Sequence, residues 1–499
     1  MQPVHYHQIG GYRAHLRDNS NDTLATRLME RAGGEFVLGI RPCGASYLLL
    51  PSDRFYELRL GHPAKGERLW RASDFVSLSP VQFPTKVDLA AKFSMLASNK
   101  KSTDGRPRDR SKANTAYTAG GEGLSPAGIA RSSFEHQRVF YRLCQNTLER
   151  PLDYALRLAP WIRDVRIFSF AFNTWAADTR SLDEREADPK VLDVGWTEFN
   201  APTDSADLSA LSTSHYVAEE QRFLNNPGKK KLSLPDITQN MPKATISALL
   251  KDLFASTRDG NRCAPMILLV YDERMTRCIL RHLGVDTSQW RTGIKDLLYL
   301  PGATDDGRRD RETYYDSKRD LRSSSGKWSR DRSRSPRRQG AAEHGVRPRS
   351  PPAPHIPPPV YIVDVRQMYQ IMMQVHSRND TVLSNAISLG VKDTAPVRGE
   401  EDRVIYQDVD PMSWCAGRES RLIGYMWEDM ANSIAIDEQR ALRQQYSKEP
   451  RLEAAAQGLG DNGEVDPNDM IQANPPSGVR GSAPKPVGMF DSDSEDDDY

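Results

Sequence analysis

The stretch Ile167–Phe199, IFSFAFNTWAADTRSLDEREADPKVLDVGWTEF, decides the fold. Its two ends are apolar and rich in Phe, Val and Ile, the composition of strands that are covered on their faces. Between them lies a charged turn, so the stretch reads as a strand pair. The first strand ends in Asn173, Thr174 and Trp175.

Working outward, Phe134 to Ile162 shows helical spacing, with Val139, Phe140 and Leu143 on one face, and leads into the pair. Downstream, SHYVAEEQRFLNNPGKKKLSL predicts a third strand passing into a loop. Pro242 starts an amphipathic helix through Ile246, Leu249, Leu250, Leu253 and Phe254. PMILLVY (265–271) is a short continuous apolar run, as in a central parallel strand, and Asp272 caps a helix closed by Gly284. PVYIVDV predicts another buried strand, Arg366–Val375 a helix, and Asp380 caps a further helix ending at Gly390. A final long helix is expected from Ser420 to Tyr446.

The flanks read differently. Residues 1–96 predict a small α+β unit: a helix over 20–32 capped by Ser20 or Asp22, a hairpin of EFVLGIR and SYLLL, and further strands at FYELRL and around Trp70 and Phe75. Residues 97–132 have the composition of a disordered linker, and 133–164 form a helical lead-in. A disordered Arg/Ser- and Pro-rich insert spans 302–357, and a disordered acidic tail spans 447–499. The expectation is an α/β fold: a mixed sheet flanked by helices over 165–301 and 358–446, interrupted by that insert.

Composition narrows the function classes. Of 499 residues 38% are hydrophobic and 27% charged, Gly and Pro number 33 each, and the net charge of +1 gives no global pull toward nucleic acid or membrane. The five cysteines are scattered, without a C-x-x-C pair, which argues against a zinc site or a disulfide framework. The start lacks an apolar signal core, and no run of about 18 apolar residues occurs. The expectation is an intracellular protein, nuclear or nucleo-cytoplasmic, with no membrane contact. KKK at 229–231 and the basic segment at 106–112 are candidate import signals.

The order of these segments resembles that of ribonuclease-H-like 3′-to-5′ exonuclease domains. VLDVGWTEF resembles the second strand, SHYVAEEQRFLNN the string after it, LLVYDERMTRCILRHLGVD the second motif, and CAGRES before a helix the third motif. The branch they resemble is the fungal "good for full DEAD-box helicase activity" family. The likeness covers roughly residues 165–300 and 358–446.

The resemblance implies a two-metal nuclease site, whose ions sit about 3.5–4 Å apart among carboxylates. Carried over by position, the first-strand acids fall on Asn173 and Trp175, the second-motif Asp near Arg277, and the third-motif His and Asp on Trp414 and Glu419. These positions therefore read as vestigial. Arg277 would put a positive charge where cations belong, and Trp175 would fill their space. Trp175 and Trp414 read as core aromatics before base-stacking platforms, and Arg277 as a solvated helix residue. Asp193 and Asp364 are the acids from which a relocated site would be built, with Asp364 placed instead at a strand end and satisfied by a backbone amide.

The leading expectation is a pseudo-exonuclease with no cofactor, associated with RNA or single-stranded nucleic acid or serving as a scaffold. Arg330, Arg332, Arg334, Arg337 and Arg338 are candidate phosphate contacts, and Ser333, Ser335, Ser492 and Ser494 candidate phosphorylation sites. One alternative is an active exonuclease using magnesium or manganese with Glu419 and nearby acids. Another is an adaptor that binds protein partners through the Arg/Ser and Pro-rich insert.

Overall fold

The apolar segments of the first hundred residues pair among themselves. Strands β1 (His5–Gln8), β2 (Glu35–Ile40), β3 (Ser46–Pro51), β4 (Trp70–Arg71) and β5 (Ser77–Gln82) form an antiparallel sheet in the order β4-β1-β3-β2-β5. The computed structural model describes residues 4–11, 16, 20–60, 69–97, 109–157, 159–203, 207–234, 236–255, 264–299, 359–375, 381–391 and 413–446. Strand alternation sorts the side chains of this sheet. Phe36, Leu38, Leu48 and Leu50 face Leu24 and Leu28 of the helix Asn21–Ala32 and Phe93 of the helix Lys86–Leu96. Val37, Tyr47 and Leu49 share the opposite core with Phe134 and Tyr141 of the helix Pro126–Cys144. Ser20 caps the first of these helices, as its sequence suggests, and Gly33 ends it in the left-handed region.

The second sheet is mixed and holds the opening stretch. Its strands are β6 (Arg166–Thr174), β7 (Val191–Asn200), β8 (Ser209–Ala218), β9 (Thr238–Met241), β10 (Met266–Val270), β11 (Arg291–Thr292) and β12 (Val360–Asp364), ordered β11-β12-β10-β6-β7-β8-β9. β6, β7 and β8 form an antiparallel meander, while β10 runs parallel to both β6 and β12. β10 is buried along its whole length because both faces are covered. Ile267 and Leu269 join the core under Leu422, Met426 and Trp427, and Leu268 and Val270 join the other beneath Ile246, Leu250, Ile279 and Leu280. Both sheets belong to one unit that extends to Arg443.

The helix Ala416–Ala431 crosses β7 with little space between them. A side chain at Gly195 would fall on the backbone nitrogen of Gly417, one at Gly424 on the ring of Phe199, and one at Gly417 would come within 2.7 Å of His215 Cβ. The glycines of VLDVGWTEF and CAGRES thus serve one close helix-on-sheet approach.

Several expectations are corrected. FYELRL lies partly in a helix, Ser52–Glu57, rather than a strand, with Phe55 as its buried residue. The linker expected over 97–132 is shorter, since residues 109–132 are folded and Pro126 begins a helix capped by Ser125. The turn between β6 and β7 contains the helix Leu182–Ala187, held by a Ser181–Glu184 capping box. Thr381 caps the helix Val382–Leu389, and Asp380 is outside the described residues. The final helix divides into Ala416–Ala431 and Ile436–Tyr446, because Asn432 ends the first and the backbone N–H of Ile436 is claimed by buried Glu135 at 2.9 Å. The insert 302–357 and the tail 447–499 lie outside the described residues.

That second short helix is fastened by buried charge. Arg131 donates to Asp437 at 2.7 Å and to the Gly44 carbonyl, and Lys92 donates to Glu438 at 2.7 Å and to Asp437 at 3.3 Å. Although burial opposes its charge, Arg131, Lys92 and Arg440 hold the Asp437 carboxyl well below the usual range.

Candidate functional site

Parallel strands in an open sheet leave a crevice at their carboxyl ends, the place where ligands bind in such folds. Here β6 ends at Asn173 and Thr174, Tyr271 and Asp272 follow β10, and Arg366 follows β12, and these residues line one cleft of about 300 Å³. Met275 and Thr276 from the helix Glu273–His282 complete one wall, and Ser413, Trp414 and Glu419 the other. Lys229, from the loop after β8, stands at the same cleft.

Inside it, Asn173 Nδ2 donates to Glu419 Oε2 at 3.0 Å. Burial and the negative charge of Asp193 push the Glu419 carboxyl up to about 7, against the lowering effect of the Asn173 bond. The other cleft carboxylate, Asp272, caps its helix through Met275 N and lies 3.7 Å from the Arg366 guanidinium. Three polar atoms on these walls are buried without a hydrogen-bond partner: Thr276 Oγ1, Ser413 Oγ and Trp414 Nε1.

The positions carried over from the resemblance separate into two groups. Asn173, Trp414 and Glu419 come together at the cleft. Trp175 and Arg277 do not line it, which corrects the expectation that they fill and charge it. A bulge between Asn173 and Thr174 shifts the strand's alternation, and Trp175 lies half-buried with Lys190 Nζ 4.9 Å over its ring. Arg277 points to its own helix and the following loop, donating to Glu273 at 2.8 Å and to the Thr287 carbonyl at 2.9 Å. The cations that reach the cleft are Lys229, marked from the sequence only as part of a candidate import signal, and Arg366, marked only as the start of a helix.

Asp193 and Asp364 are engaged elsewhere. Asp364 accepts from the backbone N–H of Gln367 at 2.8 Å and of Glu273 at 3.0 Å, which is the strand-end role expected of it. Burial nevertheless raises its carboxyl to about 6. Asp193 accepts from His215 Nε2 at 2.7 Å and from Ala416 N at 3.1 Å, and His215 Nδ1 meets Thr238 Oγ1 at 2.8 Å. Cys415 Sγ lies 3.7 and 3.8 Å from the two ring nitrogens, over the imidazole rather than in line with either, and burial lifts its thiol to about 12. With both imidazole nitrogens occupied, the group ties β7, β8 and β9 to the start of the helix Ala416–Ala431 and does not form a nucleophile–base pair. Asp193 and His215, on adjacent strands two register positions apart, were the signal for this tie.

Among the described residues, no group of three or more His, Cys, Asp or Glu side chains is placed to hold a metal ion. The two cleft carboxylates fit a two-metal centre poorly, since one is shared with Arg366 and the other is bonded to an amide. No helix among the described residues is long and apolar enough to cross a membrane. Arg330, Arg332, Arg334, Arg337, Arg338, Ser333, Ser335, Ser492 and Ser494 lie outside the described residues. Comparison of the chain with protein-family models, curated proteins and solved structures finds no match.

Proposed function

We propose that the chain is a non-cutting relative of ribonuclease-H-like exonucleases that acts in association with RNA or single-stranded nucleic acid inside the cell. The observation that carries this reading is the Asn173–Glu419 pair, an amide bonded to a carboxyl where two metal-binding acids would otherwise converge. The β8-β7-β6-β10-β12 order and the cleft at the strand ends support the kinship. The loop Arg222–Lys231, RFLNNPGKKK, supports the association: it carries four cations and no acid. Phe223 is 85% exposed there with Arg222 over its ring, an aromatic face beside positive charge that suits a base and its phosphate.

A second reading has one observation in its favour, because Asp272 and Glu419 both remain on the cleft walls. It makes the protein an active exonuclease with an unorthodox acidic site. Incubating the full chain with end-labelled single-stranded RNA and DNA in magnesium or manganese separates the two. The expected result is intact substrate; shortening that disappears in Glu419→Ala establishes the second reading and overturns the first.

A further inference from the structure

The loop 222–231 is fixed to the fold without the use of its charged or aromatic side chains. Buried Asn226 accepts from the backbone N–H of Ala176 at 2.6 Å and donates to the Thr174 carbonyl at 3.2 Å, which ties the loop to the end of β6. Further on, Trp414 N donates to the Lys230 carbonyl and Leu232 N to the Trp414 carbonyl, each at 3.0 Å. Among the described residues, no carboxylate lies within ion-pair distance of Arg222, Lys229, Lys230 or Lys231. Glu219 and Glu220 precede the loop, and Glu220 accepts from Lys243 N at 2.9 Å. Arg222, Phe223 and Lys230 are exposed, and Phe223, at 85%, is more so than any other large apolar side chain among the described residues. A lone exposed apolar side chain is ordinary. One with a guanidinium 4.5 Å over its ring and three lysines six to eight residues on is the combination that binds single strands.

We infer that the loop 222–231 is a rim site that grips single-stranded nucleic acid along its length rather than by its end, stacking a base on Phe223 and seating phosphates on Arg222 and Lys230. The inference rests on the reading of the chain as associated with nucleic acid, and it puts that association outside the cleft. Of the loop, Lys229 lines the cleft, whereas Arg222, Phe223 and Lys230 do not. The cleft lining sets Lys229 and Arg366 against Asp272 and Glu419, a formal balance that gives a phosphate no net attraction, while the loop carries cations alone. Stacking on a ring and contact with phosphates read no sequence and need no terminus, so an internal stretch of strand suits the loop as well as an end.

The test is fluorescence anisotropy of the full chain in EDTA with short labelled RNA and DNA single strands of mixed sequence, with the matching duplexes and with unlabelled circular RNA and DNA oligonucleotides as competitors. Saturable binding of single strands is expected, tighter than duplex, and the circles, which have no end, should compete as well as linear strands. The tighter of RNA and DNA names the strand. Phe223→Ala is expected to weaken binding about tenfold and Phe223→Trp to restore it. Lys230→Ala should weaken binding and reduce the slope of log affinity against log salt by about 0.7. Thermal melts should be unchanged in all three variants, since both side chains are exposed. Binding that persists unchanged in Phe223→Ala and Lys230→Ala overturns the rim site and leaves the association in place. Competition by linear strands but not by circles, or duplex bound as tightly as single strands, also overturns it. Absence of binding by every single strand overturns both the rim site and the association.

Discussion

The cleft and the Asp437 junction both bring charged groups out of water, and they do it in opposite ways. At the junction every charge meets its complement: Arg131 and Lys92 converge on Asp437 and Glu438, and Arg138 is paired with Glu135. At the cleft two cations and two acids are only partly matched, with Arg366 3.7 Å from Asp272 and Glu419 held by an amide. A cluster whose charges are matched has its chemistry consumed in fixing the fold, whereas charges that line an open cleft are only partly consumed. The pairing of charges, rather than their presence, separates a structural cluster from a candidate site.

The largest way to break this comparison lies at the junction. Asp437→Ala leaves Arg131 and Lys92 buried without their shared acid, and the loss expected from breaking such a pair is about 3–5 kcal/mol by urea unfolding. A loss below about 1 kcal/mol, the range of exposed surface pairs, would mean that the junction is solvated rather than closed.

Acid sharpens the same contrast. Because the folded-state carboxyl of Asp437 is depressed, its contribution is present above the ordinary aspartate range and is lost as pH falls through its folded value. Thermal stability should therefore fall below about pH 4, and Asp437→Asn should flatten that part of the profile. Glu419 behaves with the opposite sign. Its folded-state carboxyl is raised to about 7 from an ordinary value of 4.5, so its contribution is fully present below the unfolded value and is lost as pH rises through the folded one. Glu419→Gln should accordingly gain stability relative to the parent between pH 5 and pH 8, on the order of 1–2 kcal/mol once solvent screening is allowed for. An unchanged difference across that range would show that the cleft does not disfavour the charge.

The sequence exposes this contrast unevenly. β10 and the Asp272 cap were legible because a strand covered on both faces is a continuous apolar run, and a cap announces the turn that follows it. The Ser52–Glu57 helix was not, since FYELRL alternates as a strand would and a short run carries too little periodicity to decide. At the cleft, Asn173, Trp414 and Glu419 were placed by carrying motif positions over from the resemblance, and the structure brings these three together. Trp175 could not be placed that way, because a bulge one residue earlier reverses its side, and bulges leave no mark in apolar spacing. Arg277 failed because Asp272, Met275 and Thr276, at helical spacing, are the residues of that segment that line the cleft. Arg366 enters from beyond the insert, and only the pairing of β12 with β10 brings it there.

Manganese binding tests the central proposal, that the cleft does not hold catalytic metals. Titrating manganese into the full chain at neutral pH, with Glu419→Ala and Asp272→Ala alongside, should give no saturable heat that depends on either residue. Saturable uptake that disappears in both variants would contradict the account and restore the cleft as a metal centre.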